Sequence, residues 1–161
     1  ELPSAKMWVI GEGDMHENLK MMKIKDVVFY GHIKDEQKFE LLRKAHLLLV
    51  PSVREGWGLV VTEANAMGTP AIAYDSPGLR DSIVDGKTGI LIKYKSPENL
   101  ASSALTLLRN PNLLKIFSDN ALAFSKQFSW DNTAAEFDKL IRQLVPEDEI
   151  HLEKTIESIS K

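Results

Sequence analysis

Two glutamates on either side of a short glycine loop are the residues whose types and spacing suggest chemistry. Glu55 precedes Gly56-Trp57-Gly58, and Glu63 follows that loop inside a segment of helical period. Glycines let a ligand approach the backbone closely, and the free amides of a helix's first turn attract an anion such as a phosphate. The spacing therefore predicts an anion site at a helix N terminus, with a carboxylate on each side.

The two carboxylates can hold different parts of one ligand. Glu63 lies about five residues into the helix, which places it about 7.5 Å from the N terminus at about 1.5 Å per residue. A diphosphate at the amides would bring a nucleoside ribose within its reach, and a carboxylate can accept both hydrogen bonds of a diol. Glu55 could accept hydrogen bonds from a sugar joined to the diphosphate. The pattern therefore favours a nucleoside diphosphate linked to a sugar.

Short apolar strands and helices alternate along the chain and must position this segment. Such alternation is typical of an α/β fold with a parallel sheet and crossover helices, in which ligands bind at the carboxyl ends of the strands. The predicted strands are Lys6 to Ile10, Val27 to Tyr30, Leu47 to Pro51, Ala71 to Tyr74 and Gly89 to Ile92.

Helices are predicted after each strand, and three consecutive helices close the domain. Asp35 is the predicted N-cap of the second helix, while Ser96 and Ser129 are predicted to cap later ones. The predicted helices are His16 to Met22, Asp35 to Ala45, Gly58 to Met67, Leu79 to Val84, Ser96 to Arg109, Asn110 to Gln127 and Trp130 to Val145. For the tail, residues 146–161, a helix and a disordered segment remain open alternatives.

The composition argues against several classes of function. Twenty Lys and Arg against 23 Asp and Glu give a net charge of -3, which lacks the basic excess expected for a nucleic-acid partner. Without cysteine there is no disulfide framework, thiolate nucleophile or Cys-ligated zinc. The four histidines lack metal-ligand spacing, no Asp-x-Asp occurs, and apolar runs such as Leu47 to Val50 are too short to span a bilayer. We therefore expect neither a metal site nor a membrane-spanning helix.

Several stretches together resemble one enzyme family. Glu55 and Glu63 stand at the two positions of the Glu-x7-Glu motif of retaining GT-B glycosyltransferases, in particular glycosyltransferase family 4. The segment Val27 to Ile33 is similar to the family's strand and nucleobase loop, and Trp130 matches its late aromatic residue. Residues 76–89 resemble its Gly-Gly-x-x-Glu and Asp-Gly-x-x-Gly stretch, although Pro77 replaces a glycine and Asp81 replaces the glutamate.

The resemblance implies a fold and a place in a larger enzyme. Residues 1–145 would form the C-terminal half of a GT-B fold, a Rossmann-like parallel sheet with flanking helices, followed by a C-terminal helical stretch. Its first strand and helix, which usually supply an Arg and a Lys to the diphosphate, would be missing. The acceptor, a glycan, a lipid or a small molecule, would bind to an absent N-terminal domain. We expect weak donor binding and no turnover from this chain alone.

The resemblance also implies a role for each site residue. Glu55 is the candidate catalytic residue and would meet the donor sugar, while Glu63 would hold the ribose. The phosphates would meet the amides of Gly56, Trp57, Gly58 and Leu59, and the base would lie against Gly31, His32 and Ile33, with Asp35 and Lys38 as further contacts.

The implied reaction is hexosyl transfer with retention, and it requires no metal and no cofactor. The donor would be a UDP-, GDP- or ADP-sugar, and the leaving diphosphate would depart from the face that the acceptor approaches. The protein would supply placement and charge stabilisation. The expected location is the cytoplasm, with attachment to the inner face of the membrane as an alternative.

The sequence leaves three other functions open. A sugar-nucleotide epimerase has a related architecture but should show more acid and base side chains at the cleft. A non-catalytic nucleotide-binding module is the second alternative. A dehydrogenase-type Rossmann domain would need a third glycine after Gly11-Glu12-Gly13-Asp14, where His16 stands instead, so these residues are interpreted as a turn.

Overall fold

The chain divides after Ser125 into two compact units. Residues 5–145 are described by the structure, a computed structural model. The predicted tail at 146–161 lies outside these residues, and the predicted domain boundary at 145 stays a prediction.

Five strands lie in the first unit, where the sequence predicted them, and each pairs in parallel with its neighbours. They are β1 Met7–Ile10, β2 Val27–Gly31, β3 Leu48–Val50, β4 Ala71–Tyr74 and β5 Gly89–Ile92. They pair as two sheets, one of β1 and β2 and one in the order β3-β4-β5. The sequence led us to expect one sheet. This expectation was wrong because an apolar run indicates that a strand is buried but does not indicate which strand lies beside it.

Helices connect the strands, and every predicted helix is present. They are α1 His16–Met21, α2 Asp35–Lys44, α3 Leu59–Ala66, α4 Leu79–Ser82, α5 Pro97–Leu108, α6 Pro111–Ser125 and α7 Trp130–Leu144, the last of which lies in the second unit.

Two of the three predicted helix caps are confirmed. The backbone N–H of Asn99 donates to Ser96 Oγ at 3.2 Å, and that of Asn132 donates to Ser129 Oγ at 3.1 Å. The prediction for Asp35 is wrong, because Lys34 is the N-cap and Asp35 is already helical. Its carboxylate pairs with a side chain one turn further along α2 instead.

The central strand β4 is covered on both faces. Alternate residues of a strand point to opposite faces, so Ala71 and Ala73 join one apolar cluster while Ile72 and Tyr74 join another. The first cluster includes residues of α3 and α4, and the second includes residues of α5 and α6. Packing on the β3-β4-β5 sheet therefore holds the N terminus of α3 close to the end of β3.

Candidate functional site

The loop from β3 to α3 ends at a glycine that opens the helix. Gly58 is the N-cap of α3 and has a φ of 81°, a conformation that favours glycine. A Cβ atom there would lie 2.7 Å from Leu79 Cδ2, so a side chain would also require the buried Leu79 to shift. Since glycine has no side chain to cap the helix, the amides of Leu59 and Val60 are left for another acceptor, whereas the Val61 amide donates to the Gly58 carbonyl oxygen at 2.8 Å. This is the helix N terminus that the sequence predicted.

A second loop, which follows β4, supports the loop that contains Glu55. The buried Ser76 hydroxyl donates to the Ser52 carbonyl oxygen at 2.8 Å. Gly78 packs so closely that a Cβ atom would lie 2.3 Å from the carbonyl oxygen of Gly56 and 2.8 Å from that of Glu55. Glu55 itself is half-buried. The position of its backbone therefore depends on the absence of a side chain at residue 78.

Glu63 lies on the second turn of α3 and is engaged by a lysine of α2. Lys38 Nζ donates to Glu63 Oε1 at 2.9 Å and lies 3.0 Å from Asp35 Oδ1. Hydrogen bonding to Glu63 raises the pKa of the Lys38 ammonium, burial opposes this shift, and Asp35 adds to it. The three predicted site residues Asp35, Lys38 and Glu63 therefore form one ion-paired cluster. A contact of Asp35 or Lys38 with a base stays a prediction.

The loop after β2 is tied to the loop after β1. Gly31 ends β2 with a φ of 63°, and the backbone N–H of the exposed His32 donates to Glu12 Oε1 at 3.2 Å. A cavity of about 520 Å³ opens beside this junction and is lined by Glu12, Gly13, His16, Glu17, Lys20, Phe29, Tyr30 and Gly31. Gly31, one of the predicted base-binding residues, is part of the lining of this cavity. The half-buried Ile33 follows in the same loop.

Glu12 is a contact that the sequence reasoning missed. Residues 11–14 were assigned to a turn, and no partner was predicted for the acid between the two glycines. The signal was present, because residues that follow two parallel strands meet at one edge of a sheet. β1 and β2 are such strands, and they lead to Glu12 and His32 respectively.

Two further predicted site residues place their side chains toward solvent. Trp57 is 38% exposed and Leu59 is 71% exposed. Their predicted contribution comes from the backbone amides, so exposure of these side chains leaves that prediction untested.

A second ion pair lies after β4. Arg80 of α4 pairs with Asp75, and its guanidinium lowers the pKa of the Asp75 carboxyl, with Lys93 and Lys95 adding to the effect. Arg80 is thus already paired with an acid at the carboxyl end of the sheet.

Residues 5–145 contain no group of three or more His, Asp or Glu side chains arranged to hold a metal ion. None of the helices in this range has the length and apolar character needed to cross a bilayer.

The fold places this protein among Rossmann-like α/β domains of the GT-B glycosyltransferase type. Sucrose-phosphate synthase from Thermosynechococcus elongatus superposes with a TM-score of 0.77 at 27% identity, covering 89% of this chain and 39% of that one. A TarM variant from S. aureus, crystallised with UDP and other ligands, superposes with a TM-score of 0.75 at 25% identity, covering 85% of this chain and 29% of that one.

Sequence comparison identifies the family. Residues 1–124 match the profile of the glycosyl transferases group 1, and the chain belongs to that family. It is 30% identical to an uncharacterised glycosyltransferase of Methanocaldococcus jannaschii over 140 residues, 84% of this chain and 40% of the relative. It is 34% identical to D-inositol 3-phosphate glycosyltransferase 2 of Catenulispora acidiphila over 122 residues, 75% of this chain and 29% of the relative. The chain thus spans less than half the length of these relatives.

Proposed function

We propose that this chain is the donor-binding, C-terminal domain of a retaining GT-B glycosyltransferase of family 4. The parent enzyme transfers a hexose from a nucleotide sugar to an acceptor. The observation that supports this most is the N terminus of α3, where an N-cap without a side chain lies between two glutamates. Such a terminus attracts a diphosphate, and the acids on either side suit the hydroxyl groups at its two ends.

Each part of the donor then has a defined place. The diphosphate binds the amides from Gly56 to Leu59, the transferred sugar meets Glu55, and the ribose meets Glu63. The base lies against the loop Gly31 to Ile33. This loop leads directly into α2, whose Lys38 contacts Glu63, so the base and ribose sites are linked through one helix.

The reaction needs little covalent help from the protein. The bond between the sugar and the diphosphate breaks, and a bond to the acceptor oxygen forms on the same face. The acceptor's proton passes to the departing diphosphate. Glu55 positions the sugar, and the amides of α3 stabilise the charge on the leaving group. No step uses a metal or a cofactor.

Similar proteins support a nucleotide-sugar donor. The TarM variant was crystallised with UDP, and several relatives are named D-inositol 3-phosphate glycosyltransferases. The acceptor, which could be a glycan, a lipid or a small molecule, would bind to the part of the enzyme outside this chain. This chain alone would then bind donor weakly and transfer nothing. The cytoplasm, including the inner membrane surface, remains the proposed location.

The proposed function is tested by measuring whether the chain binds nucleotides and whether that binding depends on Glu63. Ligand-observed NMR, which detects weak binding, should show saturation transfer from the chain to at least one of UDP, GDP, ADP or their sugar conjugates. Glu63→Ala should weaken that binding about tenfold to a hundredfold, as expected for hydrogen bonds to a charged group.

Glu40→Ala is the matched control, because Glu40 is also a helical glutamate paired with a lysine but is 66% exposed on α2. The Glu40→Ala variant should bind nucleotides as tightly as the unsubstituted chain does. Equal affinity of Glu63→Ala and the parent would show that the ribose clamp is wrong. Conversion of a bound nucleotide sugar to its epimer would favour the epimerase alternative.

A further inference from the structure

We propose that Lys38 is a positioning residue that holds the Glu63 carboxylate in the orientation that receives the ribose hydroxyl groups. This inference rests on the proposed function, because it deepens the role given there to Glu63.

The geometry assigns one carboxylate oxygen to Lys38 and leaves the other available. Lys38 Nζ donates to Glu63 Oε1 at 2.9 Å. A carboxylate oxygen has two acceptor positions, so Oε1 retains one and Oε2 retains both. Fixing Oε1 also fixes the plane of the carboxylate, so in the proposed complex the remaining acceptor positions meet the ribose diol without a search among rotamers. The conformational entropy of the Glu63 side chain is therefore lost when the chain folds and not when the ligand binds.

The lysine is itself held by its neighbours. Asp35 Oδ1 lies 3.0 Å from Nζ, and the Phe39 ring centroid lies 4.9 Å from it. A long flexible side chain fixed by two acids and an aromatic ring can act as a rigid support. Asp35 lies on the same helix and its side chain is 77% exposed, so it adds a weaker contact to the lysine that holds Glu63.

This pair differs from an ordinary surface ion pair. Lys38 and Glu63 are 25 residues apart on different helices, and their side chains are 24% and 29% exposed. The pair Lys44 and Glu40 lies within one helix at 3.6 Å, with both side chains 66% exposed. Exposed pairs of the second kind contribute little because water screens them. Lys44 is therefore the matched control for Lys38.

Charge gives Lys38 a second effect on the same ligand. An unpaired Glu63 carboxylate would repel a diphosphate about 7.5 Å away along the helix. The Lys38 ammonium offsets this repulsion, so its removal should also weaken binding of the phosphates. That part of the loss does not depend on the ribose, which allows the two effects to be separated.

A merely structural role, in which the pair only joins α2 to α3, makes a different prediction. Loss of the pair would then lower the melting temperature and weaken the binding of all nucleotides to the same extent. A positioning role changes the preference for ribose over a sugar without hydroxyl groups. The decisive quantity is thus the ratio of two dissociation constants for one protein.

The experiment compares the best-binding nucleotide of UDP, GDP and ADP with its 2′,3′-dideoxy form, by ligand-observed NMR on the full 161-residue chain. The parent should prefer the ribonucleotide about tenfold, the contribution of hydrogen bonds to a charged acceptor. Glu63→Gln should largely abolish this preference. Lys38→Met should lower it to about threefold or less, and Lys44→Met should leave it unchanged.

Lys38→Arg tests for rescue, because it retains a cation that can reach Glu63 and should keep most of the preference. If Lys38→Met does not fold by circular dichroism, Lys38→Gln replaces it, with the same expected loss.

The outcomes separate this inference from the proposed function. If the parent binds no nucleotide, or if Glu63→Gln keeps the full ribose preference, the proposed ribose clamp and this inference are both overturned. If Glu63→Gln loses the preference while the folded Lys38 variant keeps it, only the positioning role is overturned.

Discussion

Gly78 is the residue at which one added methyl group should damage the site most. Its φ is -25°, so alanine introduces no left-handed strain there. The added Cβ atom would lie 2.3 Å from the carbonyl oxygen and 2.5 Å from the carbonyl carbon of Gly56. Both atoms belong to the backbone, which cannot rotate away as a flexible side chain would. The effect of Gly78→Ala is therefore purely steric.

The required displacement follows from these distances. Relief of the contact requires about 1.1 Å of separation, the difference between 2.3 Å and the 3.4 Å at which ordinary contact begins. The hydrogen bond from Ser76 to Ser52 resists that separation. Overpacking of this kind costs about 1–3 kcal/mol. For a chain of this size, that corresponds to a melting temperature lower by about 2–12 °C.

Differential scanning calorimetry of three proteins tests this reasoning. Gly13→Ala is the control, because a Cβ atom there meets nothing within 4 Å and the backbone is not left-handed. Its melting temperature should match that of the parent or rise slightly, since alanine restricts the unfolded chain. Gly78→Ala should melt lower and, where it is folded, bind the donor more weakly because Glu55 is displaced. Equal melting temperatures for the two variants would refute the steric argument.

Two further substitutions test buried and electrostatic contacts elsewhere in the first unit. The buried Thr69 hydroxyl donates to the Leu42 carbonyl oxygen at 2.5 Å, so Thr69→Val should lower the free energy of unfolding in urea by about 1–3 kcal/mol. Thr106→Val, which removes an exposed hydroxyl, should change it little, and equal losses would contradict this. Asp75→Asn should lower the urea midpoint at neutral pH, because pairing with Arg80 lowers the pKa of Asp75 below its ordinary 3.8 and stabilises the fold above that pH. The difference from the parent should shrink as the pH falls through the lowered pKa, and a difference that is independent of pH would contradict the ion-pair explanation.

The elements were predictable because each has a local signal. The span of β4 was predicted to the residue, since four consecutive apolar residues follow Pro70 and precede Asp75. The caps Ser96 and Ser129 were predictable because a serine before a helix can accept from a first-turn amide. The same rule failed at Asp35, where the carboxylate pairs with Lys38 instead. The capping rule considers only the residue before the helix, so it does not account for a competing partner such as Lys38.

The arrangement of the site was only partly predictable. The glycines after β3 indicated a helix N terminus near Gly58, and the structure has one there, while its binding of a ligand stays a prediction. The contact between Lys38 and Glu63 joins residues 25 apart, and the close approach of Gly78 to Gly56 joins two loops. Contacts of this kind depend on how helices and loops pack together. The periodicity of a single segment does not indicate that packing.

Two cations beside α3 are already paired with acids, which bears on how the proposed diphosphate would be held. Lys38 lies beside α3 but is paired with Glu63, and Arg80 on the adjacent α4 is paired with Asp75. A cation that already has an acidic partner must break that pair to neutralise a diphosphate. The amides of Leu59 and Val60 at the start of α3 need no such rearrangement, because Gly58 provides no side chain to occupy them. Phosphate binding should therefore respond more to displacement of this backbone than to removal of either cation, which makes Gly78→Ala a sharper probe of the phosphate contact than Arg80→Ala.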